Sequence, residues 1–95
     1  MFIRVAPQVV RHRDGYTVQV GSRERMEYFD EEIVAHVAMD IGTTFGIYPE
    51  TLQIRAVDGG PIVVSPERRH EILERIKAGM TALDIPYELC ELEPR

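Results

Sequence analysis

Two alternating runs of polar and apolar residues flank the dipeptide Asp14-Gly15, and they limit the possible folds more than any other feature. The runs are Val9-Val10-Arg11-His12 and Tyr16-Thr17-Val18-Gln19-Val20. Asp-Gly between such runs is a strong β-hairpin signal. A three-residue loop that ends at Gly15 pairs Val10 with Val18 and places apolar side chains on one face and polar side chains on the other. A two-residue loop mixes polar and apolar side chains on both faces. Because register follows the hydrophobic pattern, we predict the three-residue loop, with Gly15 at positive φ.

The same alternation predicts a third strand and a sheet with one buried face. A loop at residues 21–23 places Val18 opposite Met26 and Tyr16 opposite Tyr28. The predicted inner face carries Val10, His12, Tyr16, Val18, Val20, Met26 and Tyr28, and the outer face carries Arg11, Thr17, Gln19, Arg25 and Glu27. This arrangement is typical of an antiparallel sheet with one solvated side. Residues 2–5 are predicted to add a short strand.

Two amphipathic helices are predicted from their start signals. Asp30-Glu31-Glu32 supplies an N-cap and two acids for a helix over residues 30–45. Ser65-Pro66-Glu67 begins a second helix that ends before Pro86. The apolar side chains assigned to these helices are Ile33, Val34, Val37, Ala38, Ile41 and Phe45 in the first, and Ile72, Leu73, Ile76, Met80 and Leu83 in the second.

These elements predict an α+β fold in one domain over residues 1–95. Residues 52–57 and 61–64 are expected to form a hairpin around Asp58-Gly59-Gly60, with Leu52, Ile54 and Ala56 pointing inward, and residues 87–92 a closing strand. The predicted order is β-β-β-α-β-β-α-β, with both helices packed on one face of an antiparallel sheet. Each half then holds a hairpin with Asp-Gly at its turn followed by a helix, which suggests a weak internal duplication.

The composition narrows the classes of function. The chain of 95 residues has a formal net charge of −5 and one cysteine, Cys90. A lone cysteine, together with no apolar stretch that resembles a signal peptide or membrane span, predicts a cytoplasmic protein without a membrane partner. The sequence carries no phosphate-binding loop, dinucleotide fingerprint or paired cysteine motif. We therefore assign no cofactor and no metal, and enzymatic activity is left open but not favoured.

Two groups of residues are candidates for chemistry or ligand binding. Glu32, His36 and Asp40 are spaced one helical turn apart in the predicted first helix, where a carboxylate could orient the histidine as a general base or help to hold a metal. The alternative is a surface ion pair. His12, Tyr16 and Tyr28 share the inner sheet face and could line a ligand pocket, although polar aromatic residues also occur at the rim of a core.

A third group consists of arginines near the N-terminal end of the sequence. Residues 1–25 hold five arginines against Asp14 and Glu24, a balance of +3, while residues 26–95 have a balance of −8. The arginines considered for phosphate or anion contacts are Arg11, Arg13, Arg23 and Arg25. Nucleic-acid binding through the Arg11 and Arg25 face is disfavoured because the whole chain is acidic and the face lacks interleaved aromatic residues.

The leading functional hypothesis is protein–protein interaction, with another protein or with a second copy as a homodimer. Ala35 and Met39 lie outside the apolar stripe of the predicted first helix, close to His36. Apolar side chains on an outer helix face suggest that a partner covers them. A regulatory, inhibitory or antitoxin-like role fits this interpretation.

Overall fold

The chain forms a curled, mixed seven-stranded sheet, a half-barrel, with a single helix in the part that the structure describes. The computed structural model describes residues 1–21, 24–41, 45–60 and 62–90. The elements are β1 (Phe2–Ala6), β2 (Val9–His12), β3 (Thr17–Val20), β4 (Arg25–Phe29), β5 (Ile33–Ile41), β6 (Phe45–Ala56), α1 (Pro66–Ala82) and β7 (Tyr87–Leu89). Each strand lies beside the next in the sequence; β1 to β6 pair antiparallel, and β7 pairs parallel with β6.

The first hairpin matches the sequence prediction. Val10 pairs with Val18, the His12 amide donates to the Tyr16 carbonyl at 2.8 Å, and Gly15 has a φ of 95°. The short strand predicted at residues 2–5 is β1.

The second hairpin differs from the prediction in register. Val18 faces Tyr28 and Val20 faces Met26, two residues away from the predicted pairing. A shift of two residues preserves the face of every side chain, so the predicted inner face is nevertheless correct for Met26 and Tyr28, which are fully buried. Part of the connecting loop, residues 22 and 23, lies outside the described residues.

The predicted first helix is wrong, and with it the α+β fold of two helices on one sheet face. Residues 33–41 form β5, in which Ile33, Ala35, Val37 and Met39 are buried and the residues between them point to the other face. A strand alternates faces with a period of two, and the segment is rich in β-branched residues, which favour strands. Because the segment after the first hairpin, where the repeat needs a helix, forms the strand β5, the proposed internal duplication is also wrong.

A bulge in β6 reverses which of its residues face inward. His36 pairs with Gln53, but Ala38 pairs with Tyr48, so four residues of β6 lie opposite one residue of β5. Thr51 stabilises the bulge, since its hydroxyl accepts from the Ala38 amide at 2.8 Å and donates to the Tyr48 carbonyl at 2.7 Å. The inward side chains are therefore Phe45 and Ile47 before the bulge and Leu52, Ile54 and Ala56 after it, the last three as predicted.

The second predicted helix is confirmed as α1. Ser65 is its N-cap and accepts from the Arg68 amide at 3.1 Å, and Pro66 begins the helix. The expected return strand at residues 61–64 does not form in 62–64, while residue 61 lies outside the described part. The closing strand is confirmed over Tyr87–Leu89; residues 91 and 92 of the prediction are not described.

The core lies between α1 and the inner face of the sheet. The helix contributes Ile72, Ile76 and Met80, all fully buried, and packs mainly over β3 and β4. Gly79 faces Val18 so closely that a Cβ atom on Gly79 would lie 2.5 Å from the Val18 side chain. Within the described residues, no helix is long and apolar enough to cross a membrane.

Candidate functional site

The residues proposed as a ligand pocket come together, but as a packed stack. The rings of His12 and Tyr16 stack at 4.7 Å with an interplanar angle of 6°. Phe2 contacts both rings edge-on, and Tyr28 lies 5.5 Å from Tyr16. The Arg75 guanidinium lies 4.5 Å from the centre of the Tyr16 ring. We call these five residues the aromatic cluster; its contacts link β1, β2 and β4 to the helix.

Hydrogen bonds connect the sheet to the helix through four side chains, those of Tyr28, Asp30, Arg68 and Arg75. The Tyr28 hydroxyl donates to Asp30 at 2.7 Å and accepts from Arg75 at 2.9 Å. Arg68 donates to the same Asp30 oxygen at 2.9 Å. Burial, followed by the hydrogen bond to Asp30, raises the pKa of Tyr28 to about 12. We call these four residues the polar clamp.

Asp30 also stabilises the turn before β5. Its Oδ1 atom accepts from the amides of Glu32 and Ile33 at 2.8 and 2.9 Å. Burial opposes ionisation of the carboxyl, but the Tyr28 hydroxyl, the two amides and Arg68 outweigh it, so the pKa of Asp30 lies below its ordinary value. A helix N-cap makes the same kind of side-chain-to-amide bonds, which is why the sequence around Asp30 resembles a helix start.

A cleft of about 280 Å³ lies beside the polar clamp. It is lined by Asp14, Gly15, Asp30, Glu31, Glu32, Arg68 and Arg75. Arg68 is already bound to Asp30 and Glu71, and Arg75 is bound to Tyr28. The clamp residues that line the cleft are thus engaged in holding the helix on the sheet.

The candidate group of Glu32, His36 and Asp40 does not assemble. In an extended strand, residues four apart are separated by about 13 Å, since each residue advances about 3.3 Å. His36 instead lies between Glu27 and Gln53 on the neighbouring strands. Asp40 accepts a hydrogen bond from the Tyr48 hydroxyl.

Ala35 and Met39, the proposed interaction residues, are 0% and 1% exposed. Both belong to the core beneath α1. Since residues 33–41 form a strand and not a helix, Ala35 and Met39 are covered by the protein's own core and need no partner. His36 is half-buried on the opposite face of β5.

The arginines proposed for anion contacts fall into different environments. Arg11 and Arg13 are exposed and form no ion pair with the described residues. Arg25 pairs with Glu27 at 3.0 Å. Arg23 lies outside the described residues.

The free edge of the sheet at β1 is the site that sequence reasoning missed. β1 pairs with β2 on one side and has no neighbour among the described strands on the other. Ile3 and Val5 are 65% and 59% exposed. Beside them lies a shallow cavity of about 220 Å³, lined by Ile3, Val5, Arg11, His12, Arg13 and Gly15. We call Phe2–Ala6 together with Arg11 and Arg13 the β1 edge.

The backbone of β1 has hydrogen-bonding groups directed away from β2. The Arg13 amide donates to the Met1 carbonyl at 3.1 Å, and the His12 amide points away from β1, to the carbonyl of Tyr16 just before β3. Since antiparallel pairs alternate between hydrogen-bonded and non-hydrogen-bonded, Ile3 exchanges bonds with Arg11. The amides and carbonyls of Phe2 and Arg4 then point to the open side.

The described residues hold no group of three or more His, Cys, Asp and Glu side chains that could bind a metal ion. Comparison with protein-family models, with curated proteins and with solved structures finds no match for this chain.

Proposed function

We propose that this protein acts by binding another protein, and that an extended segment of the partner adds as a strand to the β1 edge. The observation that carries the proposal is the combination of two exposed apolar side chains, Ile3 and Val5, with a strand edge that has no neighbour among the described strands. Proteins commonly protect such edges with charges, prolines or covering loops, because a bare edge recruits other strands.

Both the main chain and the side chains of β1 are suited to the addition of a strand. An added strand would bond to the main chain of Phe2 and Arg4, which supplies affinity for the backbone of any partner. The side chains of Ile3 and Val5 would then pack beside alternate residues of the partner, which supplies selectivity.

Position-specific photo-crosslinking in cells tests this proposal. Benzoylphenylalanine replaces Ile3 in one variant and Val57, an exposed valine far from β1 in the sheet order, in the control. We expect Ile3 to give a discrete protein adduct that Val57 does not give. Equal adducts from both positions, or none from Ile3, would contradict the proposal.

A pair of substitutions at Arg4 separates strand addition from contact through side chains alone. Both Arg4→Pro and Arg4→Ala remove the charge, but only proline removes the amide that points to the open edge. The adduct from Ile3 should fall about tenfold further in Arg4→Pro than in Arg4→Ala, as expected for one lost hydrogen bond. Equal yields from the two variants would argue against main-chain pairing. Circular dichroism of both variants controls for folding.

A further inference from the structure

We infer that the segment added to the β1 edge is acidic, with carboxylate side chains alternating with apolar ones; this inference rests on the proposed function. The β1 edge is a basic region on a chain whose net charge is −5. Its exposed arginines are Arg4, Arg11 and Arg13. Complementary charge is what steers a partner to a surface and fixes its register.

The arginines are placed to act on both sides of an added strand. Ile3 pairs with Arg11, so these two side chains share the outer face. Arg4 pairs with the buried Val10 and lies on the inner face at the edge. A partner strand would therefore meet an arginine on each of its faces, with Ile3 as the apolar contact on the outer one.

Little local negative charge neutralises these arginines. Arg4 is 4.0 Å from Asp84, at the outer limit of an ion pair, and the Asp84 side chain is almost fully exposed. Asp14 lies 3.4 Å from the His12 ring. Arg11 and Arg13 form no ion pair within the described part of the chain. Their guanidinium groups remain free to bind carboxylates in the bidentate manner that suits arginine.

The lining of the cavity beside Ile3 also favours an acidic side chain. Apolar Ile3 and Val5 contribute to its lining together with the basic Arg11 and Arg13. A carboxylate side chain from the partner can extend over the apolar residues and end at the arginines. A second copy of this chain fits less well, because two β1 edges paired antiparallel would bring two copies of Arg4 close together, and like charges on paired strands are destabilising.

Binding of three synthetic peptides to the whole protein tests the inference. The probes are fluorescent heptapeptides with the sequences Ser-Glu-Val-Glu-Val-Glu-Ser, its glutamine analogue and its lysine analogue. Fluorescence anisotropy should give an affinity about tenfold higher for the glutamate peptide than for the glutamine peptide, and weaker binding still for the lysine peptide. Exchange of the Phe2 and Arg4 amides should slow on binding.

Charge reversals at two places in the sheet show whether the arginines of the β1 edge are responsible. The double variant Arg11→Glu, Arg13→Glu should lose about tenfold in affinity for the glutamate peptide. Arg55→Glu is the control, because Arg55 is also exposed on the outer face but lies on β6, at the other side of the sheet. Arg55→Glu carries half the charge change of the double variant, so a loss of about threefold or more in Arg55→Glu would show that only the overall charge matters, and it would overturn the inference.

The remaining outcomes distinguish this inference from the proposed function. If the glutamate and glutamine peptides bind equally well while Ile3 still gives a specific adduct in cells, the inference of an acidic segment is overturned. The proposed strand addition then still holds. An adduct between Ile3 and a second copy of the chain would overturn the claim that the partner is a different protein. A short single-stranded oligothymidine that binds more tightly than the glutamate peptide, and that loses binding in the double variant, would assign the arginines to nucleic acid instead.

Discussion

Gly15 shows how one residue can set the register of a hairpin. Its φ of 95° lies in a region that side chains with a Cβ atom disfavour. Among the described residues other than Gly15 and its chain neighbours, no heavy atom lies within 4 Å of the position that a Cβ would take, so the cost of substitution comes from the backbone conformation.

Gly15→Val is therefore expected to lower the free energy of unfolding by about 1 kcal/mol or more. Gly15→Asn should cost less, because asparagine tolerates positive φ better than valine does. Urea denaturation of the three proteins measures both effects. Equal stability of the valine variant and the original chain would contradict the argument from strain.

Asp30 makes the stability of the protein depend on pH at the acidic end. The folded chain holds the pKa of Asp30 below the ordinary value of 3.8. As the pH falls through that value, the unfolded chain takes up the proton before the folded chain does, so this contribution to stability is present above it and is lost on further acidification.

Asp30→Asn should lower the free energy of unfolding at pH 7 by about 1–3 kcal/mol, since asparagine loses the charged contact with Arg68 and a good acceptor for Tyr28. The difference from the original chain should shrink as the pH falls below about 4. Glu31→Gln, at an exposed neighbour, should change the stability at pH 7 by less than about 0.5 kcal/mol. Thermal unfolding across a pH series provides the measurement, and a constant difference at every pH would contradict the role assigned to the carboxylate.

At the scale of the element, β5 shows where periodicity alone misleads. Residues 33–41 are apolar at so many positions that both a helical stripe and a strand alternation can be drawn through them. Ala35 and Met39 fit the strand but not the helical stripe. Their poor fit to the helical stripe is a signal for the strand, in which both side chains are buried.

Met39→Glu is now expected to destabilise the chain itself by about 3 kcal/mol or more, because a charge would be buried without a partner. Met39→Leu should cost less than about 1.5 kcal/mol, since the volume and polarity are preserved. Denaturation midpoints measured over a concentration series should be independent of concentration for both variants. A midpoint that rises with concentration in the original chain and not in Met39→Glu would instead indicate that Met39 stabilises an assembly.

Local patterns predicted the first hairpin, the inner sheet face and α1, and each has a start, turn or cap signal within a few residues. The grouping of His12, Tyr16 and Tyr28 followed from the same strand pairing. Arg75 could not be added to them, because α1 brings it from 47 positions further along the chain than Tyr28. The β1 edge was not predictable either, since the position of an edge strand depends on the topology of the whole sheet.

At the scale of the whole molecule, the sheet and helix share a single core and depend on one close approach. Gly79 allows α1 to lie against Val18, where a Cβ would come within 2.5 Å. Interiors are packed too densely to absorb such an overlap without movement.

Gly79→Ala should therefore lower the free energy of unfolding. The cost of overpacking, about 1–3 kcal/mol, exceeds the stabilisation of roughly 0.5–1 kcal/mol that alanine brings to a helix relative to glycine. The matched control is Ala78→Gly on the exposed side of α1, which should also destabilise, through helix propensity alone. Chemical denaturation compares the two. A more stable Gly79→Ala variant would mean that propensity, and not packing, governs this position.

The order of the strands in the sheet equals their order in the chain, which has a consequence during synthesis. Strands β2 to β5 can pair as soon as Ile41 has left the ribosome, but the helix that covers their inner face ends at Ala82, 41 residues later. At about 5–20 residues per second, translation leaves that apolar face uncovered for about 2–8 s. The nascent chain is therefore most open to aggregation and to chaperone binding in this interval, and slow codons between β5 and α1 would lengthen it.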